Sequence, residues 1–408
     1  MIKLLNKLGP GLLYAGAAVG VSHLVQSTKA GGYYGFQLLI FVVLANILKY
    51  PFFEFSPRYT IVKNESVIEG YKKLGNWAIW LFLGLTILTM FTIQAAVTIV
   101  TASLTKNIFN LKSLDISVIS TGIILICGII IFIGRYKTLD LLMKFIIILL
   151  SLSTILAVLF ALNNTTYFNS EFVYPFQFEG HHLSFLIALI GWMPAPIDIS
   201  IWQSIWNLEK QKTQHIDLKT SLLDFNIGYW STLILAILFL SLGALSFYGS
   251  DQEFSNKGTL FVNQVLEMYT SQIGQWSYPI IAIAALTTMF STTLTCFDAF
   301  PRTLSPTLQI LQNKKVKPPN HVQKILWLSI VGIGAIIIIT FLIENMTAMI
   351  KIATIGSFLT APILAFLNYK LIYNKDFPIH SRPKLFVKYL AWIGLLGLVG
   401  LSIWFLIT

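Results

Sequence analysis

The chain has 408 residues, of which 56% are hydrophobic and only 11% charged, and its mean hydropathy is +0.74. That is far above soluble values, and apolar stretches of about 20 residues recur along the whole length, each long enough to cross a bilayer. The net charge of +11 does not point to nucleic acid, because most of the Lys and Arg fall in alternate gaps between apolar stretches, as in a membrane protein.

Eleven spans are predicted, at roughly 9–31, 36–55, 77–104, 115–134, 139–162, 182–208, 222–248, 275–300, 323–343, 347–370 and 386–407. The N-terminus, MIKLLNKLGP, lacks a small-residue cleavage site after a short apolar region, so no cleavable signal is expected. Lys3 and Lys7 precede the first span. Arg58, Lys63, Lys72 and Lys73 follow the second, Arg135 and Lys137 the fourth, and Lys210, Lys212 and Lys219 the sixth. The gaps after spans 8 and 10 are basic as well. The bias puts the N-terminus in the cytoplasm and, with eleven spans, the C-terminus outside. The expected setting is a bacterial plasma membrane, with lipid as the surrounding partner.

Cys127 and Cys296 both fall inside spans and read as small buried apolar residues rather than a disulfide. The outer connections 163–181 and 249–274 carry Glu171, Glu179, Asp251 and Glu253. They read as solvated loops, with a cation-collecting rim as the alternative. NNTT at 163–166 contains a glycosylation sequon.

Two spans are interrupted. In 182–208, HLSFLIALIGWMPAPIDISIWQSIWNL, Pro194 and Pro196 each remove a backbone donor and disfavour helix for the preceding residue. Lipid cannot satisfy the freed backbone groups, so the break must face protein or a water-filled cavity. Asp198 follows by half a turn, and a carboxylate there reads as functional, with a proline kink and a structural Asp as the alternative. In 9–31, Gly9, Gly11, Gly16 and Gly20 surround polar Ser22 and His23, and two half-helices should meet near 18–23. Broken helices at matching positions of two five-span halves point to an inverted-repeat transporter with a midplane site. One transporter domain over 1–408 is expected: spans 1–5 (9–162) as the first repeat, spans 6–10 (182–370) as its inverted copy, and span 11 (386–407) as an addition.

GPGLL…AG at 9–31, LANILKYPFFEFSPRYT at the end of span 2 and GWMP at 191–194 together resemble the NRAMP family of divalent-metal transporters. The resemblance in order, spacing and span count covers nearly the whole chain. It implies the leucine-transporter fold, with spans 1 and 6 unwound, and inward transport of Mn²⁺ or Fe²⁺, usually with protons. It also implies a metal site built from a DPGN sequence in span 1 and an MPH sequence in span 6. Here the DPGN positions hold Gly20, Val21, Ser22 and His23, and the MPH positions hold Met193, Pro194 and Ala195. Span 3 carries no acid or base along its apolar stretch, so proton coupling is not expected.

The metal candidates are therefore His23, Met193 and Asp198, with Ser22 and the carbonyls near Gly20 and Ala195 completing the shell. His23 reads equally as a histidine bonded to a broken-helix carbonyl, and Met193 as a core gap filler. Gln94, Ser200 and Gln203 offer neutral oxygens. Lys351 reads as snorkelling outward, or as a fixed cation in place of a coupling ion; Lys29 is ambiguous in the same way. Asp298 and Arg302, four apart, read as a structural pair.

The leading function is secondary transport of a divalent metal ion, which enters as substrate. No bound cofactor and no nucleotide partner are expected. The alternative keeps the fold and changes the cargo to a small organic solute or amino acid. An enzyme is not expected, because HExxH, GxSxG and P-loop patterns are absent. The sequence specifies no oligomeric state, and a monomer is compatible with it.

Overall fold

A computed structural model describes residues 9–134, 136–163, 176–250, 253–342 and 345–408. Lys3, Lys7, Arg135, Glu171, Asp251, the Lys137 side chain and most of the 163–166 sequon lie outside the described residues. Among the described residues the chain is helical, with no strand.

The first span is α1 (Pro10–Ala18), then a π-helical turn (Ser22–Ser27) that runs into α2 (Thr28–Tyr34). There follow α3 (Leu39–Lys63), the short α4 (Val67–Leu74), α5 (Asn76–Ile108), α6 (Ile116–Ile133) and α7 (Tyr136–Asn163). The sixth span is split into α8 (Gly180–Gly191) and α9 (Asp198–Thr213). The remainder is α10 (Leu218–Phe247), α11 (Gly258–Ile273), α12 (Tyr278–Leu311), α13 (His321–Ile337) with a π-helical end (Ile338–Leu342), α14 (Met346–Ile372) and α15 (Leu385–Ile407).

Among the described residues, eight helices are long and apolar enough to cross a membrane. Two of the other predicted spans are the broken ones, whose halves are individually short. The third is α7, whose described apolar stretch is Ile148–Asn163. The breaks fall between Ala18 and Ser22 and between Gly191 and Asp198, as expected.

Two short helices lie outside the predicted spans, one of them in a connection read as a loop. Residues 249–274 hold α11, which buries Phe261, Val262, Val265, Leu266 and Tyr269. That i, i+1, i+4, i+5, i+8 spacing is an amphipathic stripe, which the polar residues around it obscured. The α4 helix starts on a capping box between Ser66 and Glu69.

Span 1 lies along α10 over its whole length, because glycines let the backbones approach. A Cβ on Gly11 would lie 2.0 Å from the Asp224 carbonyl oxygen, and one on Gly228 would lie 2.1 Å from the Gly11 carbonyl oxygen. At the other end a Cβ on Gly31 would lie 1.9 Å from the Leu240 carbonyl oxygen, and one on Gly243 would lie 2.2 Å from that of Thr28. The Asp224 carboxylate also accepts the amides of Gly9 at 3.1 Å and Gly11 at 2.8 Å. Those amides start α1 and have no partner within it, and a negative charge suits that end.

Candidate functional site

The candidate site lies where the two breaks meet. In span 1 the chain leaves helical geometry at Val19 (φ −77°, ψ 88°) and resumes at the π-helical turn. The Ser22 hydroxyl donates to the Ala18 carbonyl at 2.7 Å. Thr292 on α12 lies against the break, its hydroxyl 3.3 Å from both the Gly16 and Val19 carbonyls. A Cβ on Gly20 would come within 2.8 Å of that hydroxyl, so this position takes no side chain as packed.

In span 6, α8 ends at Gly191 and six residues pass before α9 begins. Trp192 Nε1 donates to Ser357 Oγ on α14 at 2.8 Å. The carbonyls of Ile190 and Gly191 accept from the Lys49 ammonium of α3 at 2.6 and 2.9 Å, and Lys49 is fully buried. On the far side of the break, Asn368 of α14 donates to the Phe52 carbonyl and to Ser200 Oγ, both at 2.9 Å, and accepts from Tyr71 at 2.6 Å. Spans 2, 6 and 10 are thereby tied together on both sides of the interruption.

Between the breaks lies a void of about 20 Å³ lined by Ala18, Ser22, Val97, Trp192, Pro196, Thr292 and Cys296, among others. It has room for about one water-sized guest. Two larger cavities lie elsewhere and share no lining residue with it. One, of about 650 Å³, includes Lys29, Tyr34, His182, Glu253 and Lys351. The other, of about 700 Å³, includes Glu69, Glu209, Lys212, His215 and Arg302.

The predicted site residues divide. Ser22 lines the void. Met193 and Ala195 are fully buried in the break itself. Asp198 opens α9, is buried, and keeps its Oδ2 without a partner. The Gly20 carbonyl is engaged, accepting the amides of Leu24 at 2.9 Å and His23 at 3.2 Å. His23 reaches away from the void, with Nε2 2.9 Å from the Thr232 carbonyl and Nδ1 2.7 Å from Ser22 Oγ. Among the described residues, no three His, Cys, Asp or Glu come together as a metal cluster. Gln94 bonds to Thr98 at 3.2 Å.

Lys351 is exposed at the rim of the cavity of about 650 Å³. Lys29 is buried, donating to Thr347 Oγ1 at 2.9 Å with its ammonium 4.9 Å from the Phe261 ring centre. Asp298 and Arg302 pair at 2.5 Å. Lys49 and Thr292 were missed from sequence. Lys49 had a signal, as an isolated charge within LANILKYPFF; Thr292 had none.

Compared with known proteins, residues 11–408 match the family described as "Natural resistance-associated macrophage protein-like", abbreviated Nramp. The chain is 34% identical over 398 residues to an uncharacterised protein of Pasteurella multocida (strain Pm70), covering 97% of this chain and 90% of that one. Its fold is similar to that of the Eremococcus coleocola manganese transporter crystallised with an aromatic bis-isothiourea substituted compound. The TM-score is 0.70 at 16% identity, covering 98% of this chain and 85% of the other. It is also similar to MhsT in complex with L-phenylalanine, with a TM-score of 0.62 at 14% identity over 97% and 98% of the two chains. This polytopic, all-helical membrane protein, built on the leucine-transporter fold with its first and sixth spans broken, belongs to the Nramp transporter family.

Proposed function

We propose that the chain is a secondary transporter of a divalent metal ion that works by alternating access. One observation carries the reading: the two breaks meet around a single-guest void lined by Ser22, Trp192, Pro196 and Ile199, and the buried Met193 and the unpaired Asp198 oxygen adjoin those lining residues in the chain without lining the void themselves. A carboxylate oxygen and a thioether suit Mn²⁺ or Fe²⁺ better than a purely hard site would. Ser22 and the backbone near Ala195 are the remaining donors, and His23 joins only by releasing Thr232 or Ser22. The void excludes an amino acid by size in this conformation. Two broad cavities with no lining residue in common with the void fit a centre separated from both ends. The manganese transporter of similar fold supports the choice of cargo.

Transport here does not use protons at the usual places. Along α5 the ionisable side chain is Lys106, near its end, and Ala195 stands where the family resemblance implies a histidine. The basic connections face the cytoplasm of a bacterial cell, which leaves the C-terminus outside.

A second reading, a small organic solute, is favoured by the Lys49 ammonium on the α8 carbonyls. A fixed positive charge beside the break disfavours a cationic cargo and suits a substrate carboxylate. Uptake into proteoliposomes separates the two. A panel of Mn²⁺, Fe²⁺, Co²⁺, Zn²⁺ and Mg²⁺ is offered with and without pH or Na⁺ gradients, beside labelled amino acids. Saturable Mn²⁺ or Fe²⁺ accumulation is expected. Amino-acid uptake with no metal accumulation makes the second reading the correct one.

A further inference from the structure

We propose that the Lys49 ammonium is a tethered cation. It fills the carbonyl end of α8, where a diffusible monovalent cation would otherwise be needed to hold the break.

The last carbonyls of a helix have no partner within it and carry partial negative charge. At α8 the next residues cannot fully supply them, because Pro194 and Pro196 have no N–H. The Met193 amide reaches Ile190 at 3.2 Å. The shorter contacts come from Lys49, at 2.6 Å to Ile190 and 2.9 Å to Gly191. An ammonium has three donors and no acceptor, so carbonyl oxygens suit it as they suit a dehydrated metal cation.

Lys49 has no carboxylate partner among the described residues. The nearest acid along its own helix, Glu54, is taken by Arg58. The charge is met by backbone dipoles alone, at a site with no exposure. That end of α8 is also locked from the other side. A Cβ on Gly191 would lie 2.3 Å from the Thr354 carbonyl oxygen, and Trp192 bonds to Ser357. The ammonium therefore sits where spans 2, 6 and 10 converge, 141 residues in sequence from its acceptor. Truncating it leaves two buried carbonyl acceptors without the ammonium, beside the space the lysine side chain occupied, which is a cation site with the cation removed.

The inference does not depend on the cargo, since Asp198 lies at the opposite end of the break. The test uses the purified full-length protein in nanodiscs and reads the thermal unfolding midpoint. N-methyl-D-glucamine chloride is replaced stepwise by NaCl, or by methylammonium chloride, at constant ionic strength. The wild-type midpoint should not move. Lys49→Ala should unfold several degrees lower in glucamine and recover saturably with Na⁺ or methylammonium. A saturable Na⁺ response in the wild type overturns the proposal. So does a Lys49→Ala or Lys49→Met protein as stable as wild type with no cation response. If neither variant folds, the wild-type series alone decides. Mn²⁺ titration of the wild type is run separately, and its failure would count against the metal cargo without touching the Lys49 result.

Discussion

His23 donates through Nε2 to the Thr232 carbonyl at 2.9 Å, which fastens the break of span 1 to α10. A carbonyl only accepts, so Nε2 carries the proton, and Nδ1 and the Ala18 carbonyl, each 2.7 Å from Ser22 Oγ, compete for its single hydroxyl proton. Thr232 lies mid-helix and its carbonyl keeps its partner within α10, so removing the ring loses one net hydrogen bond, about 0.5–1.5 kcal/mol. His23→Ala should lower unfolding stability by that amount, and His23→Gln, which keeps a donor, should lower it less. Denaturation of both variants checks this. Equal losses would show that the Thr232 bond contributes nothing.

Asp198→Asn replaces a buried carboxylate whose Oδ2 has no partner. Metal binding measured by calorimetry should fall below detection while the unfolding midpoint stays close to wild type. Met193→Ala should weaken Mn²⁺ or Fe²⁺ more than Mg²⁺, because a thioether favours softer ions. Full Mn²⁺ affinity in Asp198→Asn would put the site elsewhere.

Gly11 and Gly31 of span 1 should not tolerate a side chain. Gly31→Val and Gly11→Val drive a Cβ into the α10 backbone. Neither should yield a monodisperse peak in size-exclusion chromatography. Gly356→Ala in α14 is the control. Nothing lies within 4 Å of its added Cβ, and a mid-helix Gly→Ala change should stabilise by about 0.5–1 kcal/mol.

Glu54 is 3% exposed and accepts from Arg58 Nε at 2.9 Å, while Arg58 also donates to the Ser381 carbonyl at 2.8 Å. Glu54→Ala strands a cation at the end of α3. It should cost about 3–5 kcal/mol. The Glu54→Ala, Arg58→Ala double variant should cost less than the sum of the single changes, as a double-mutant cycle in denaturant would measure.

Metal uptake should proceed without acidifying the vesicle lumen. With Gln94 in the middle of α5 and Ala195 in the break, neither position offers a proton carrier. A pH-sensitive dye trapped inside proteoliposomes reads this directly, and stoichiometric acidification during Mn²⁺ entry would refute it.

Where the chain crosses and where it breaks were determined by the sequence alone. Apolar length and the missing donors of Pro194 and Pro196 are local properties that act whatever lies alongside. The pairing of two broken spans five apart, and with it the fold, followed from the same local signals. The direction of each polar side chain was decided only in the tertiary structure. His23 and Ser22 share one break, yet Ser22 lines the void and His23 reaches Thr232, because α10 presents its carbonyl on that side. Lys49 stood in the sequence only as part of the stretch LANILKYPFFEFSPRYT. It gained a role only when folding brought the carbonyl end of α8 within reach of its ammonium. Periodicity and proline chemistry are set within a few residues, whereas the partner of a buried polar group is set by which helix packs against it.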